Sequence, residues 1–207
     1  MFNLFKTKPK GFIGYFNLND WWQENFTDDE RRHMVEKYQL IGLDKDPLVD
    51  PDFSSSRMSE TIFGFLYNLA SWFNTPSDRA IAKKIITKAE EYIGTEKDAF
   101  RLHFFYPTKM KIYYRERENP VALKIAIDCC IKQIELTPLS TQAWQKKYGD
   151  KLPFHEGYDQ LCIIYEKQGK FEEVIQLAEQ AKSQGWSGAW DSRIERAKKK
   201  IEKNKKS

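Results

Sequence analysis

Apolar side chains recur at helical spacing along most of this chain, and no segment alternates as a strand would. Over 57–73, Ile62, Phe65, Leu66, Leu69, Ala70 and Phe73 fall on one face, and over 76–93 so do Ile81, Ala82, Ile85, Ile86, Ala89 and Ile93. Steps of three and four residues mark the buried stripe of an amphipathic helix. The punctuation agrees with this reading. Thr75-Pro76 and Asn119-Pro120 read as an N-cap followed by proline in the first helical turn, and the latter opens a helix over 120–136. Thr95 opens a helix that runs to about 118, with Pro107 as an interruption or kink. Thr137-Pro138 stops the 120–136 helix, and a short helix over 140–149 carries Trp144 and Tyr148. Pro153 begins a helix to 168, Gly169 breaks it, helix 171–184 ends at Gly185, and a last helix covers about 189–203.

The first 26 residues are crowded with aromatics: Phe2, Phe5, Phe12, Tyr15, Phe16, Trp21, Trp22 and Phe26. Pro9, Gly11 and Gly14 argue against a continuous helix before Asn17, while Asn19 or Asp20 can cap a short one through Trp22. Thr27 and Glu30 have capping-box spacing, which predicts a helix over 28–38 with Met34, Val35 and Tyr38 inward. Residues 42–56 hold two prolines, a glycine and several Asp and Ser, the composition of a linker. The expected division is an aromatic-rich helical segment or cap over 1–50 and a helical domain over 51–207. Two readings stay open for Trp21, Trp22 and Phe26: packing onto the first helix pair, or an exposed docking patch.

One spacing recurs. In 155–186, Tyr158, Leu161, Cys162 and Tyr165 lie on a first helix, Gly169 in the turn, and Val174, Ala178 and Ala181 on a second. In 63–94, Leu66, Leu69, Ala70 and Phe73 precede Ala82, Ile86 and Ala89, and the step from Phe73 to Ala82 equals that from Tyr165 to Val174. A third copy over 103–134 has Tyr106, Met110, Tyr113, Ala122, Ala126 and Cys129, with Lys109 in a core slot. The copies begin at 63, 103 and 155, so they are 40 and 52 residues apart. This pattern resembles the tetratricopeptide-repeat family in a degenerate, irregularly spaced form, the usual period being about 34.

That resemblance implies an all-α fold of antiparallel helix pairs stacked as a short right-handed superhelix. The helix carrying Trp190, Ile194, Ala197 and Ile201, with Trp186 before it, would cap the open end. It also implies a non-enzymatic protein-binding scaffold or adaptor that holds a peptide or partner helix in a concave groove. Carried onto this chain, the groove would be lined by Tyr67, Ser71, Lys111, Tyr114, Arg115, Asp159, Ile163, Glu166 and Lys167. Ser71, Lys111 and Ile163 stand where the family's carboxylate clamp needs Asn, so a terminal carboxylate is not the ligand implied.

Composition narrows the chemistry. The chain has 207 residues, 41% hydrophobic, 31% charged and 14% aromatic, which suits a folded protein with a well-solvated surface. Lys6, Lys8, Pro9 and Lys10 interrupt any signal-peptide core, and no run approaches the roughly 18 apolar residues of a spanning helix, so a cytoplasmic, non-membrane protein is expected. Cys129, Cys130 and Cys162 read as small buried hydrophobes rather than a disulfide framework. His33, His103 and His155 are far apart in sequence, no cysteine pair has zinc spacing, and no phosphate loop or nucleophile elbow occurs. No cofactor, metal or catalysis is therefore expected. The net charge of +4 is weak, but basic residues concentrate from Arg193 onward, where Arg196, Lys198, Lys199, Lys200 and Lys203 face only Glu195 and Glu202. That helix reads either as a solvated face or, in the alternative function, as a phosphate-contacting surface of a nucleic-acid-associated accessory protein.

Overall fold

The computed structural model describes residues 10–40, 46–50 and 60–205, and among them the chain is all-α: eleven helices, and no strand beyond one isolated bridge between Phe154 and Ser187. No helix among the described residues is long and apolar enough to cross a membrane. The helices gather into two compact units that meet in sequence at Gly94 and Thr95.

The first unit holds α1 (Gly11–Tyr15), α2 (Asn19–Asn25), α3 (Asp28–Lys37), α4 (Ile62–Ser71) and α5 (Arg79–Glu90). A single-turn helix such as α1 has no internal partners for its first N–H groups. Those of Gly11, Phe12 and Ile13 donate instead to the carbonyls of Asp50, Pro47 and Leu48 at 2.9, 2.9 and 3.2 Å. Residues 46–50 thus fold onto α1, with Leu48 fully buried and Val49 nearly so. This corrects the reading of 42–56 as a plain linker; the rest of that stretch lies outside the described residues. Neither Asn19 nor Asp20 caps α2, since Leu18 occupies that position without a side-chain bond. The capping box of α3 forms as expected, with Glu30 N–H donating to Thr27 Oγ1 at 3.2 Å and Thr27 N–H to Glu30 Oε2 at 2.8 Å. Met34 and Tyr38 are buried, while Val35 is half-buried.

Helices α4 and α5 pack together through the predicted apolar faces, Leu66, Leu69, Ala70 and Phe73 against Ile81, Ala82, Ile85, Ile86 and Ala89. The Thr75-Pro76 pair does not cap α5. It belongs to a turn in which Asp78 N–H donates to the Thr75 carbonyl at 3.2 Å, and the helix begins at Arg79. The Asp78 carboxylate, only 4% exposed, takes Lys37, His33 at 3.0 Å and Ser77 at 3.1 Å instead of the free N–H groups of α5. Burial would raise this carboxyl, yet the bonds from Lys37, Thr75 and Ser77 overcome it and hold the pKa at about 2.

The second unit holds α6 (Ala99–Tyr114), α7 (Pro120–Glu135), α8 (Thr137–Tyr148), α9 (Glu156–Lys167), α10 (Phe171–Ser183) and α11 (Trp190–Lys205). Helix α6 packs on α7, α7 on α9, α9 on α10 and α10 on α11, while α8 leans on α6 and α7. Val174, Ala178 and Ala181 are fully buried, and these small side chains let α10 come close to its neighbours. Gly169 has φ of +73°, a conformation that costs other residues a Cβ clash, and it turns α9 into α10. Gly157 allows another close approach: a Cβ there would stand 2.6 Å from Gln133 Oε1 and 3.0 Å from the Cys130 carbonyl of α7.

Three boundaries differ from expectation. Helix α8 starts at Thr137 rather than near 140: Thr137-Pro138, which follows the end of α7 at Glu135 as expected, forms its first turn, where a missing proline N–H has no partner to lose. Helix α9 starts at Glu156 rather than Pro153, because His155 is its N-cap and its Nδ1 accepts the Tyr158 N–H at 3.2 Å. Helix α6 starts at Ala99, capped by Asp98, which accepts from Phe100 N–H at 2.8 Å, and runs through Pro107. Proline in a helix interior frees the carbonyl four residues earlier. Here that is His103, whose carbonyl takes Gln133 Nε2 of α7 at 3.0 Å, so the helix continues.

Candidate partner-binding surface

In the first unit, Tyr67 is 8% exposed and packs edge-on against Phe63 at 5.5 Å, so it is a core residue of α4. Ser71 is exposed, and its Oγ donates to the Asn68 carbonyl at 2.7 Å. With Trp72, Tyr38, Phe65 and Glu60 it rims a pocket of about 380 Å³.

In the second unit, the C-terminal part of α6 meets α9. Lys111 pairs with Glu156, and Lys167 Nζ donates to the Tyr114 hydroxyl at 3.2 Å while lying 5.7 Å from that ring. Arg117 stands 5.2 Å from the same ring. Arg115 is exposed where α6 ends, and Ile163 is half-buried. Tyr114 and Lys167 therefore come together with Arg117 on the same ring, while Lys111, one turn earlier on α6, is held by Glu156 at the other end of α9; periodicity had singled out neither Arg117 nor Glu156.

Asp159 and Glu166 have another task. Arg193 of α11, 9% exposed, donates from Nη1 to Glu166 at 2.9 Å and from Nη2 to Asp159. Both carboxylates are thereby committed to holding α11 on α9. This also corrects the reading of the basic tail, since Arg193 is buried and paired. Arg196, Lys198, Lys199, Lys200 and Lys203 are exposed on α11.

A buried polar cluster lies behind this surface. His103 stacks on Trp186 at 5.5 Å, and His155 meets His103 at 5.1 Å and Trp186 at 4.6 Å, both edge-on. Gln133 Nε2 lies 3.2 Å from His103 Nε2 and donates to the His103 carbonyl at 3.0 Å. Burial lowers the His103 pKa to about 4, and burial together with the neighbouring His103 lowers His155 to about 3. Separation in sequence hid this pair. Pro107 was the available signal, because a carbonyl freed inside a helix requires a donor from elsewhere. Burial likewise pushes the Cys162 thiol up to about 12, and all three cysteines are buried and outside any disulfide.

Among the described residues, no group of three or more His, Cys, Asp or Glu could hold a metal ion. Compared with protein-family models, curated proteins and solved structures, the chain matches none. The class its fold defines is an all-α protein of successively packed helices.

Proposed function

We propose that this chain is a non-enzymatic protein-interaction scaffold of the tetratricopeptide type, holding a peptide or partner helix against the first helices of its successive pairs. The observation that carries this reading is the meeting of α6 and α9, with Lys111, Tyr114 and Lys167 at their junction and α7 behind both. First helices of neighbouring pairs line the concave side in such arrays. Arg115 and Ile163 complete a mixed polar and apolar strip, whereas Asp159 and Glu166 act through Arg193 to fix the last helix. The adaptor role and cytoplasmic location belong to the same proposal. Its test is mild purification of tagged protein from its source cells, beside a Tyr114→Ala, Ile163→Ala variant. The variant should keep its melting temperature and lose the co-purifying protein; full retention of that protein would overturn the groove.

A second reading, a nucleic-acid-associated accessory role, draws on the exposed cations Arg196, Lys198, Lys199 and Lys200 of α11. It requires binding that weakens steeply with salt. Changing Lys199 and Lys200 to Gln should then reduce both the affinity and its salt slope, and an unchanged slope would end this reading.

A further inference from the structure

Helix α8 presents an anomaly of burial. The side chains it buries fully are Thr137 and Ser140, while its Leu139 is 58% and its Tyr148 53% exposed. Its Trp144 packs in part against the core that holds Leu152, Tyr158 and Trp186, but its other large apolar groups do not turn inward as core packing alone would have them. Tyr148 instead joins a surface cluster with Trp144, one turn earlier, and with Phe100 and Phe104 of α6. Ring centroids are 4.7 Å apart for Trp144 and Tyr148, 5.6 Å for Phe100 and Trp144, 5.8 Å for Phe100 and Tyr148, and 4.8 Å for Phe100 and Phe104. Phe104 is 38% exposed, and Phe100 and Trp144 are half-buried. Contiguous exposed aromatics of this kind mark docking surfaces, where rigid rings supply most of the affinity.

A cation stands directly on the cluster. Lys147 Nζ stands 5.3 Å from the Phe100 ring and 5.2 Å from the Tyr148 ring. Lys151, whose carbonyl accepts the Trp144 indole N–H at 3.1 Å, is exposed beside it, as is Asp150, and neither Lys147 nor Lys151 pairs with an acid among the described residues. The acids at the start of α6 are engaged nearby, since Arg101 lies 4.0 Å from Glu96 and 3.6 Å from Asp98. An incoming carboxylate therefore meets the Lys147 ammonium directly beside apolar rings.

We infer that this face of α6 and α8 docks an acidic, amphipathic peptide segment of a protein partner, its apolar side chains on Phe104 and Tyr148 and its carboxylates on Lys147 and Lys151. Single-stranded nucleic acid fits less well. Base stacking needs an open ring face, whereas Trp144 lies over Phe100 and Lys147 over both Phe100 and Tyr148. This surface is separate from the Tyr114 strip and stands whether or not that strip binds anything.

The experiment uses the full chain and fluorescence anisotropy with three labelled probes: a helical peptide of Glu and Leu, the same peptide with Lys for Glu, and oligodeoxythymidine. The acidic peptide should bind, the basic one should not, and added salt should weaken the complex. Lys147→Glu and Tyr148→Ala should each weaken it roughly tenfold or more. Both positions are exposed, and Phe104→Ser gives an independent third variant should either one disturb folding. The inference is overturned by a flat titration with the acidic peptide, or by affinity unchanged in the folded variants. Preference for the oligonucleotide would overturn it too, as would self-association of the chain abolished by the same substitutions.

Discussion

Tyr158 and Tyr165 sit seven residues apart on α9, and the repeat pattern treats them alike as core residues. The structure separates them: Tyr158 is fully buried, its ring against His155 and Trp190 and its hydroxyl donating to Gln184 at 2.9 Å. Tyr165 is half-buried, with Lys170 5.1 Å from its ring. Tyr158→Ala should therefore cost about 3–5 kcal/mol in urea unfolding. Tyr165→Ala should cost about 1–2 kcal/mol, since less apolar area returns to water; equal losses would contradict the difference in burial. Arg193 belongs to the same level. Removing it by Arg193→Ala strands two carboxylates that are partly exposed, at 27% and 31%, so the loss should be about 1–3 kcal/mol rather than that of a fully buried pair. Adding Asp159→Asn and Glu166→Gln should recover part of it, and a triple variant no more stable than the single one would argue against the pair.

Among the helices, those with a local cap were legible in advance, because a cap is settled within four residues. Thr27 with Glu30, and Asn119 before Pro120, both form as their spacing demands, and Asn119 accepts from Val121 N–H at 2.9 Å. Thr75 failed as a start signal because a distant group won, the charges of α3 for Asp78. Pro153 failed because a nearer cap, the imidazole of His155, opens α9 two residues later. Gly157 shows the opposite balance. Helix propensity alone makes Gly157→Ala favourable by about 1 kcal/mol. The new methyl would press on Gln133 Oε1 and on the Cys130 carbonyl, and the carbonyl is backbone that cannot rotate away. The net effect should be destabilisation of about 1–3 kcal/mol, read as a lower urea midpoint at unchanged slope.

Acid should loosen the second unit through His103 and His155, which tie α6, α7 and α9 to the turn before α11. Their folded pKa values of about 4 and 3 lie below the 6.5 of an ordinary histidine, so between these limits the unfolded chain binds more protons. Stability should hold above pH 6.5 and decline as the pH falls, by on the order of 2 kcal/mol for each imidazole near pH 5. Urea unfolding across this range tests it beside His155→Asn, in which Asn keeps an N-cap and cannot titrate. The variant should flatten the slope, and an identical slope would remove His155 from the account.

The sequence by itself determined that the chain is helical, roughly where its helices lie, and which faces are apolar, because backbone geometry and hydrophobic periodicity act over a few residues. Only the tertiary structure decided which polar side chains are buried and whom they meet. Arg193 looked like one more cation of a solvated tail, Asp159 and Glu166 like groove residues, and 46–50 like linker, until helices distant in sequence packed together. Desolvation and pairing energies depend on the neighbour each group acquires, and no local pattern encodes that neighbour.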